Sequence, residues 1–370
     1  MRTLLRIVKN ETFSAYILIP VGLLAIALGA HFDSHFLEQH RQIAGWHFTI
    51  REATLDYLLG FFFYSVGLQL RFELVKGALQ DRKVLIVSAA SAAMGMATPA
   101  LLFFIFNKAH GTPTTGWGIT MATDLPFVLA MLVVLRRGSL RGFVLALATI
   151  DDIGSVIVLS ILFKIKIDLL QLFYLLLLLT LYFLVSRYLN SRLLLVAIFI
   201  VGLAVGHHSG IQTSLVAVLF GLITSRREEE RRGLQERMLN SIEPLSAYLV
   251  IPVFVFITLF RRYDFSWSAT TSTLVLSLII VRLIGKPLGI VVGAWLSKTA
   301  IRSSLPLSLW DLLLIGALGT LGLDVSLIFA QKNFVGHLEN LAIMGILFTI
   351  PLAVLVSTLV HLLSPKRKSL

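Results

Sequence analysis

The chain has no cysteine among its 370 residues. Disulfides, thiolate metal centres and thiol nucleophiles are therefore excluded from its chemistry. Charge is also scarce, because 14% of residues are Asp, Glu, Lys or Arg, against ~25% in soluble domains. Long polar stretches are missing too. The widest interruptions between apolar runs, 31–54 and 225–243, are too short for a soluble domain. What is there is 57% hydrophobic, with mean hydropathy +0.87. That composition is expected of an all-α polytopic membrane protein. A porin-like barrel does not fit, since its strands alternate apolar and polar residues.

Hydropathy and helix breakers predict about twelve spans. They lie near 13–30, 55–75, 84–107, 116–135, 142–163, 168–186, 192–206, 210–225, 244–260, 270–297, 308–331 and 339–363. The whole chain, 1–370, reads as a single integral membrane domain. The first span follows a basic N-terminus but lacks an A-x-A-like cleavage site, so it is expected to be a retained helix. The 31–54 interruption has room for a short hairpin, and 225–243 forms a charged cytoplasmic loop, Arg226-Arg227-Glu228-Glu229-Glu230-Arg231-Arg232. With the N-terminus inside, 22 of the 32 Lys and Arg fall on the cytoplasmic side and eight outside. The remaining two, Arg282 and Lys286, fall within a span. This bias predicts cytoplasmic N- and C-termini. It also accounts for the net charge of +12 without a nucleic-acid partner.

Against this apolar background the most informative residues are Asp151 and Asp152, adjacent in a run with no other charge from Gly142 to Phe163. A charged side chain at mid-membrane depth is costly, and an ion or proton site is the default reason for keeping one. Helix neighbours point about 100° apart, so one carboxylate can line a cavity while the other faces an adjacent helix or cation. Two carboxylates in a low dielectric do not both ionise freely, so the pair is suited to exchanging a proton. Once deprotonated, the same oxygens suit a small hard cation such as Na+ or Li+. Proton and cation would compete for one place. The alternative is a neutral or lysine-paired carboxylate with a structural role only.

Three more segments bear on the same reading. Ala122-Thr123-Asp124 precedes Pro126, where a helix is expected to break. There Asp124 could neutralise the positive ends of half-helices, and Thr123 could add a neutral ligand or a cap. Lys286 lies in Ile284-Gly285-Lys286-Pro287-Leu288-Gly289, and a buried lysine must pair or deprotonate. Arg282 sits one turn earlier, either compensating charge or snorkelling to a headgroup. An echo at an offset of 200 relates Thr120-Met121-Ala122-Thr123-Asp124-Leu125 to Thr320-Leu321-Gly322-Leu323-Asp324-Val325. Spans 3–5 and 10–12, roughly 84–163 and 270–363, would then form an inverted repeat with broken helices 4 and 11. Asp324 reads as a third ligand or, with a slight preference, as a fixed partner of Arg282 or Lys286. His207-His208, in an outer turn, makes a poor metal site.

Together Ala122-Thr123-Asp124, Ile150-Asp151-Asp152-Ile153-Gly154 and the Lys286 segment resemble the NhaA-type sodium/proton antiporters. So do Phe62-Phe63-Tyr64-Ser65-Val66-Gly67-Leu68, Thr98-Pro99-Ala100-Leu101-Leu102 and Ala247-Tyr248-Leu249-Val250-Ile251-Pro252. The likeness runs along nearly the whole chain. It implies twelve helices with spans 4 and 11 interrupted and crossing, in a bacterial cytoplasmic (inner) membrane. It further implies Asp152 as principal cation ligand, Asp151 as a second carboxylate linked to Lys286, and Asp124 with Lys286 balancing half-helix dipoles. Thr123 would sit by the cation. The implied activity is exchange of protons for sodium or lithium, electrogenic, with no cofactor and room for a homodimer.

Several positions depart from the family pattern. Gln69, Phe72, Gln212 and Glu243 replace residues tied to alkaline activation, and Leu323-Asp324-Val325-Ser326 replaces the usual Phe-Thr-Met-Ser. A non-exchanging sensor with the same fold, or a sodium-coupled symporter, are the alternatives this divergence leaves. Membrane enzymes fit poorly. Gly322-Leu323-Asp324 lacks the second glycine of an intramembrane aspartyl protease, and Asp151-Asp152-Ile153-Gly154-Ser155 lacks the last acid of a prenyl-diphosphate motif.

Overall fold

A computed structural model describes residues 11–32, 37, 39–43, 46–76, 80–162, 168–189, 191–209, 213–224, 241–242, 244–260, 263, 267–302 and 305–365. In chain order the principal elements begin with α1 Glu11–His31, β1 His40–Ile43, β2 Trp46–Thr49, α2 Ile50–Lys76 and α3 Arg82–Ala109. A 3-10 turn, Thr115–Thr120, leads by way of an irregular stretch to α4 Leu125–Val134. Then follow α5 Arg141–Leu162, α6 Leu169–Leu184, α7 Arg192–Ser209, α8 Thr213–Ile223 and α9 Ile251–Leu259. The chain closes with α10 Thr273–Ala300, α11 Leu309–Gly319, α12 Asp324–Asn333 and α13 His337–Leu363. The protein is a polytopic all-α membrane protein. The two strands among the described residues form one small antiparallel pair, matching His40 with Thr49 and Ile43 with Trp46. That pair occupies the 31–54 interruption. The charged loop expected at 225–243, and Gln212 and Glu243 with it, lies outside the described residues apart from 241–242.

Helices suit this sequence because a helix satisfies its own backbone polar groups, which no apolar solvent can do. Ends are closed by side chains. Asp81 accepts from the Lys83 amide at 2.8 Å to open α3, and Asp168 accepts from Leu170 and Gln171 to open α6. Ser308 and Asp311 form a reciprocal capping box on α11. Among the described residues five helical stretches are long and apolar enough to cross a membrane: Arg82–Ala109, Arg141–Leu159, Leu169–Leu189, Thr273–Ala300 and His337–Leu363.

The chain divides into two compact units. The first holds 1–75 and 156–263. Within it α1 packs on α9 and α6 on α7. Gly67 of α2 and Gly221 of α8 bring two backbones into contact; a Cβ on Gly67 would lie 2.3 Å from the Val218 carbonyl oxygen. Beside them Tyr64, Tyr182 and Thr224 form a buried hydroxyl triangle, with the two phenol oxygens 2.6 Å apart and Thr224 Oγ1 at 3.2–3.3 Å from each. Thr224 donates its own proton to the Phe220 carbonyl at 2.9 Å. Phe199 and Phe220 pack around the triangle, with ring centroids 4.7 Å (Tyr64–Phe199) and 5.0 Å (Tyr182–Phe220) apart.

The second unit holds 76–155 and 264–370. Its spine is α3 against α10. Gly285, Gly289 and Gly293 recur every four residues on one face of α10, where small residues let helix backbones approach in a membrane. A Cβ on Gly289 would sit 2.2 Å from the Met94 oxygen, and one on Gly293 would sit 2.4 Å from the Ala90 oxygen. Gly285 meets Pro99, and Gly316 of α11 meets Pro287 on the next side of α10. Gly289→Ala is expected to force α3 and α10 apart, at a cost of about 1–3 kcal/mol or more for overpacking. Thermal unfolding of the detergent-solubilised protein measures it; an unchanged midpoint would count against this packing.

Candidate functional site

Two interrupted helices meet inside the second unit. The first runs from the 3-10 turn Thr115–Thr120 through 121–124 into α4; the second runs from α11 through 320–323 into α12. Each interruption leaves carbonyls and amides with no intrahelical partner. The structure satisfies them reciprocally. The Asp124 amide donates to Leu321 O at 2.7 Å, and the Leu323 amide donates to Asp124 Oδ2 at 2.6 Å. The Thr123 hydroxyl donates to Gly319 O at 2.8 Å, while the Ser326 hydroxyl donates to Ile119 O at 3.0 Å.

Charged groups take the remaining positions, and their signs follow the helix dipole. Lys286 Nζ donates to the Met121 carbonyl, and Arg282 Nη2 donates to Gly322 O at 2.7 Å, with Ala122 O at 3.5 Å. Both cations therefore sit on carbonyl-bearing backbone. Asp124, the anion, sits on an amide that opens the second half-helix.

Both aspartates of α5 are buried, but they make different contacts. Asp151 is fully buried and pairs with Lys286, Oδ2 to Nζ at 2.7 Å. Its other oxygen, Oδ1, is buried without a hydrogen-bond partner among the described residues. Thr123 lies beside it; its one hydroxyl proton is directed at Gly319 O instead. Asp152, one position on, makes no hydrogen bond among the described residues, and its charged neighbours are Asp151, Asp124 and Lys286. An unpaired oxygen at a buried carboxylate costs about 1–3 kcal/mol or more. Such an oxygen marks a place where a proton, a water or an ion belongs. Around these groups α5 is held close to α3, with Met96 packed on Gly154.

Thus Thr123, Asp124, Asp151, Asp152, Arg282 and Lys286 all fall in one unit, and five of them share hydrogen bonds with one another or with the same crossing. Arg282 does not snorkel; it is 0% exposed. Asp324 supplies the first residue of α12, and its side chain lies outside the described part of the structure. Among the described residues no three His, Asp or Glu converge as a metal-holding group, so a bound cation would rely on few carboxylates and on backbone or water oxygens.

Sequence reasoning missed two features. One is the glycine face of α10, whose four-residue period was visible in Gly285, Gly289 and Gly293. The other is a polar knot around Arg137, which donates from Nε to His361 Nδ1 at 3.2 Å and pairs with Asp311 at 3.5 Å. Arg137 also bonds Ser364. Its partners are 174 to 227 residues away, and no local pattern announces them.

A helical membrane protein with a buried carboxylate–ammonium centre at crossed, interrupted helices belongs to the class of ion-handling membrane proteins. Comparison with known proteins narrows the class. The model of the family described as Na+/H+ antiporter 1 matches residues 5–361, and the chain belongs to that family. Proteins named Na(+)/H(+) antiporter NhaA from Arthrobacter sp. (strain FB24) and Thermobifida fusca (strain YX) are 30% and 29% identical to it. The alignments cover 96% and 92% of this chain, and 84% and 88% of those relatives. Na(+)/H(+) antiporter NhaA 1 of Saccharopolyspora erythraea is 30% identical, over 96% of this chain and 90% of the relative.

Removing one partner of a buried pair strands the other charge, at about 3–5 kcal/mol. Lys286→Met is therefore expected to lower thermal stability in detergent, and adding Asp151→Asn is expected to recover most of the loss. Additive losses in the double variant would show that the pair is not coupled.

Proposed function

We propose that the protein is a secondary antiporter that exchanges protons for Na+ or Li+, with Asp151 and Asp152 as the shared binding groups. The observation that carries this reading is the pair of buried carboxylates: one has a single oxygen held by Lys286 and the other is free of hydrogen bonds among the described residues. Asp152 is then the principal cation ligand. It can close on a sodium ion without first giving up a hydrogen bond to another described residue. Asp151 joins it by its unpaired oxygen, and Thr123 stands ready to contribute its hydroxyl oxygen, a lone-pair donor whose proton points elsewhere.

Coupling follows from competition. A proton on the carboxylates removes the negative charge a cation needs, and a bound cation makes protonation unfavourable. When only loaded states reorient, each inward proton movement is tied to an outward sodium movement. Proton gradient and membrane potential drive the cycle, which is electrogenic when more protons than cations move. Asp124 and Lys286 hold the opposed half-helix ends in place through it, with Arg282 and Asp324 as further charge compensation at the crossing.

The frame for this cycle is twelve spans, with both termini cytoplasmic, in a bacterial inner membrane. Helices α3 to α5 and α10 to α13 each run long helix, interrupted helix, long helix, which supports an inverted repeat. A single transporter domain, able to form a homodimer, accommodates the arrangement.

Proton movement in proteoliposomes on adding Na+, Li+ or K+ tests the reading. Sodium- or lithium-driven proton release is expected between pH 6 and 9, and its absence throughout that range would sink the proposal and favour a sensor. Asp152→Asn is expected to abolish exchange, roughly 100-fold or more as a lost charged ligand implies. Exchange by that variant at the parent's rate would move the cation site elsewhere.

A further inference from the structure

The guanidinium of Arg282 is completely buried, yet among the described residues it uses only one of its three nitrogens. Nη2 donates to Gly322 O at 2.7 Å and faces Ala122 O at 3.5 Å, so a single nitrogen spans both unwound strands of the crossing. Nε and Nη1 are buried with no hydrogen-bond partner among the described residues. The fit around Nη2 is close, since a Cβ on Gly322 would lie 2.6 Å from it. A fork of five donors left mostly unused is a poor choice for a mere structural strut, because each unsatisfied buried donor is costly.

The reason for tolerating that cost is charge. Guanidinium stays protonated where an ammonium can lose its proton on burial. Asp124 and Asp151 are its charged neighbours, and Lys286 lies one turn along the same face of α10. The charged groups around it come from α5, the first crossing strand and α10 itself. They are Asp151, which adjoins Asp152 in α5, Asp124 and Lys286; Asp324 opens α12 nearby in sequence to Gly322. Helix α3 brings none in its central turns, as its Lys and Arg stand at its ends.

We propose that Arg282 is a positioning residue that gives the exchange centre a permanent counter-charge and fixes the spacing of its two unwound strands. Lys286 can then change its pairing with Asp151 during the cycle while the centre keeps one cation in place. Arg282 sets how strongly the aspartates hold both of their competing ligands. This inference rests on the antiport reading and adds a residue that determines the pH at which exchange switches on.

The test compares the parent with Arg282→Gln and Arg282→Lys in proteoliposomes, reading the pH midpoint of sodium-driven proton flux, the KM for Na+ at alkaline pH, and the maximal rate. With the fixed positive charge gone, proton and sodium are both held more tightly. Arg282→Gln is therefore expected to move the midpoint about one pH unit upward, a tenfold change in proton competition. Its KM for Na+ at pH 9 is expected to fall several-fold. Arg282→Lys keeps the charge and loses the fork, so its midpoint and KM stay with the parent while its rate drops. A Gln variant with unchanged midpoint and KM, lower only in rate, would reduce Arg282 to a strut and overturn the proposal. So would a Lys variant shifted as far as the Gln variant. If Arg282→Gln does not survive size-exclusion chromatography in detergent, Arg282→Met takes its place: a midpoint about one unit higher supports the counter-charge, and an unmoved one overturns it. A parent without sodium-driven flux defeats the antiport reading itself, whereas an active parent with unresponsive variants defeats only the role of Arg282.

Discussion

Four half-helix ends stop inside the protein, where no bulk water can take up their last carbonyls and amides. Backbone polar groups left bare in an apolar medium cost several kcal/mol each, and irregular backbone survives there only when protein satisfies it. Most of the second unit can be understood from that requirement. Thr123 and Ser326 each cap the other helix's carbonyls, Asp124 holds an opening amide, and Lys286 and Arg282 hold the Met121 and Gly322 carbonyls. Once two cations are committed to backbone carbonyls, carboxylates must sit nearby to balance them. Asp151 does so directly. Asp152 lies beside it without a hydrogen bond of its side chain to any described residue, so the demands of helix termini do not account for it.

The close approach of α3 and α10 serves the same end. Lys286 and Arg282 share a helix with Gly285, Gly289 and Gly293, so the backbone contact with α3 fixes the depth and rotation of both cations. Pro287 removes one amide from the middle of that helix and packs against Gly316 of α11. Cation placement is thereby tied to two neighbours at once. A side chain added along this face would misplace charge as well as overpack a seam.

Much of this was legible in the sequence because charge stands out against an apolar background. Asp151, Asp152, Asp124 and Lys286 each interrupt a long uncharged run, and Pro126 beside Ala122-Thr123-Asp124 marked a break. The strand pair at 40–49 was admitted by the length of its interruption. Other features were not legible, for identifiable reasons. Arg282 stands one turn from Lys286 in a 28-residue helix, and a long flexible side chain there can reach a headgroup or a carbonyl with equal ease. Only the position of Gly322 O decides between them. The knot of Arg137 with Asp311, His361 and Ser364 joins parts of the chain with no shared local pattern, and polar residues near span ends ordinarily read as solvated.

The hydroxyl triangle of Tyr64, Tyr182 and Thr224 has a bearing on energy conservation. A row of hydroxyls can in principle relay protons by passing each one along to the next oxygen. This row ends on Phe220 O, a peptide carbonyl that accepts a hydrogen bond but has no proton to hand onward. Packed among Phe199 and Phe220, the triangle joins α2, α6 and the end of α8 through polar contacts while offering no outlet along that branch. The contact gives cohesion between helices, while the Thr224 proton stays committed to a peptide oxygen.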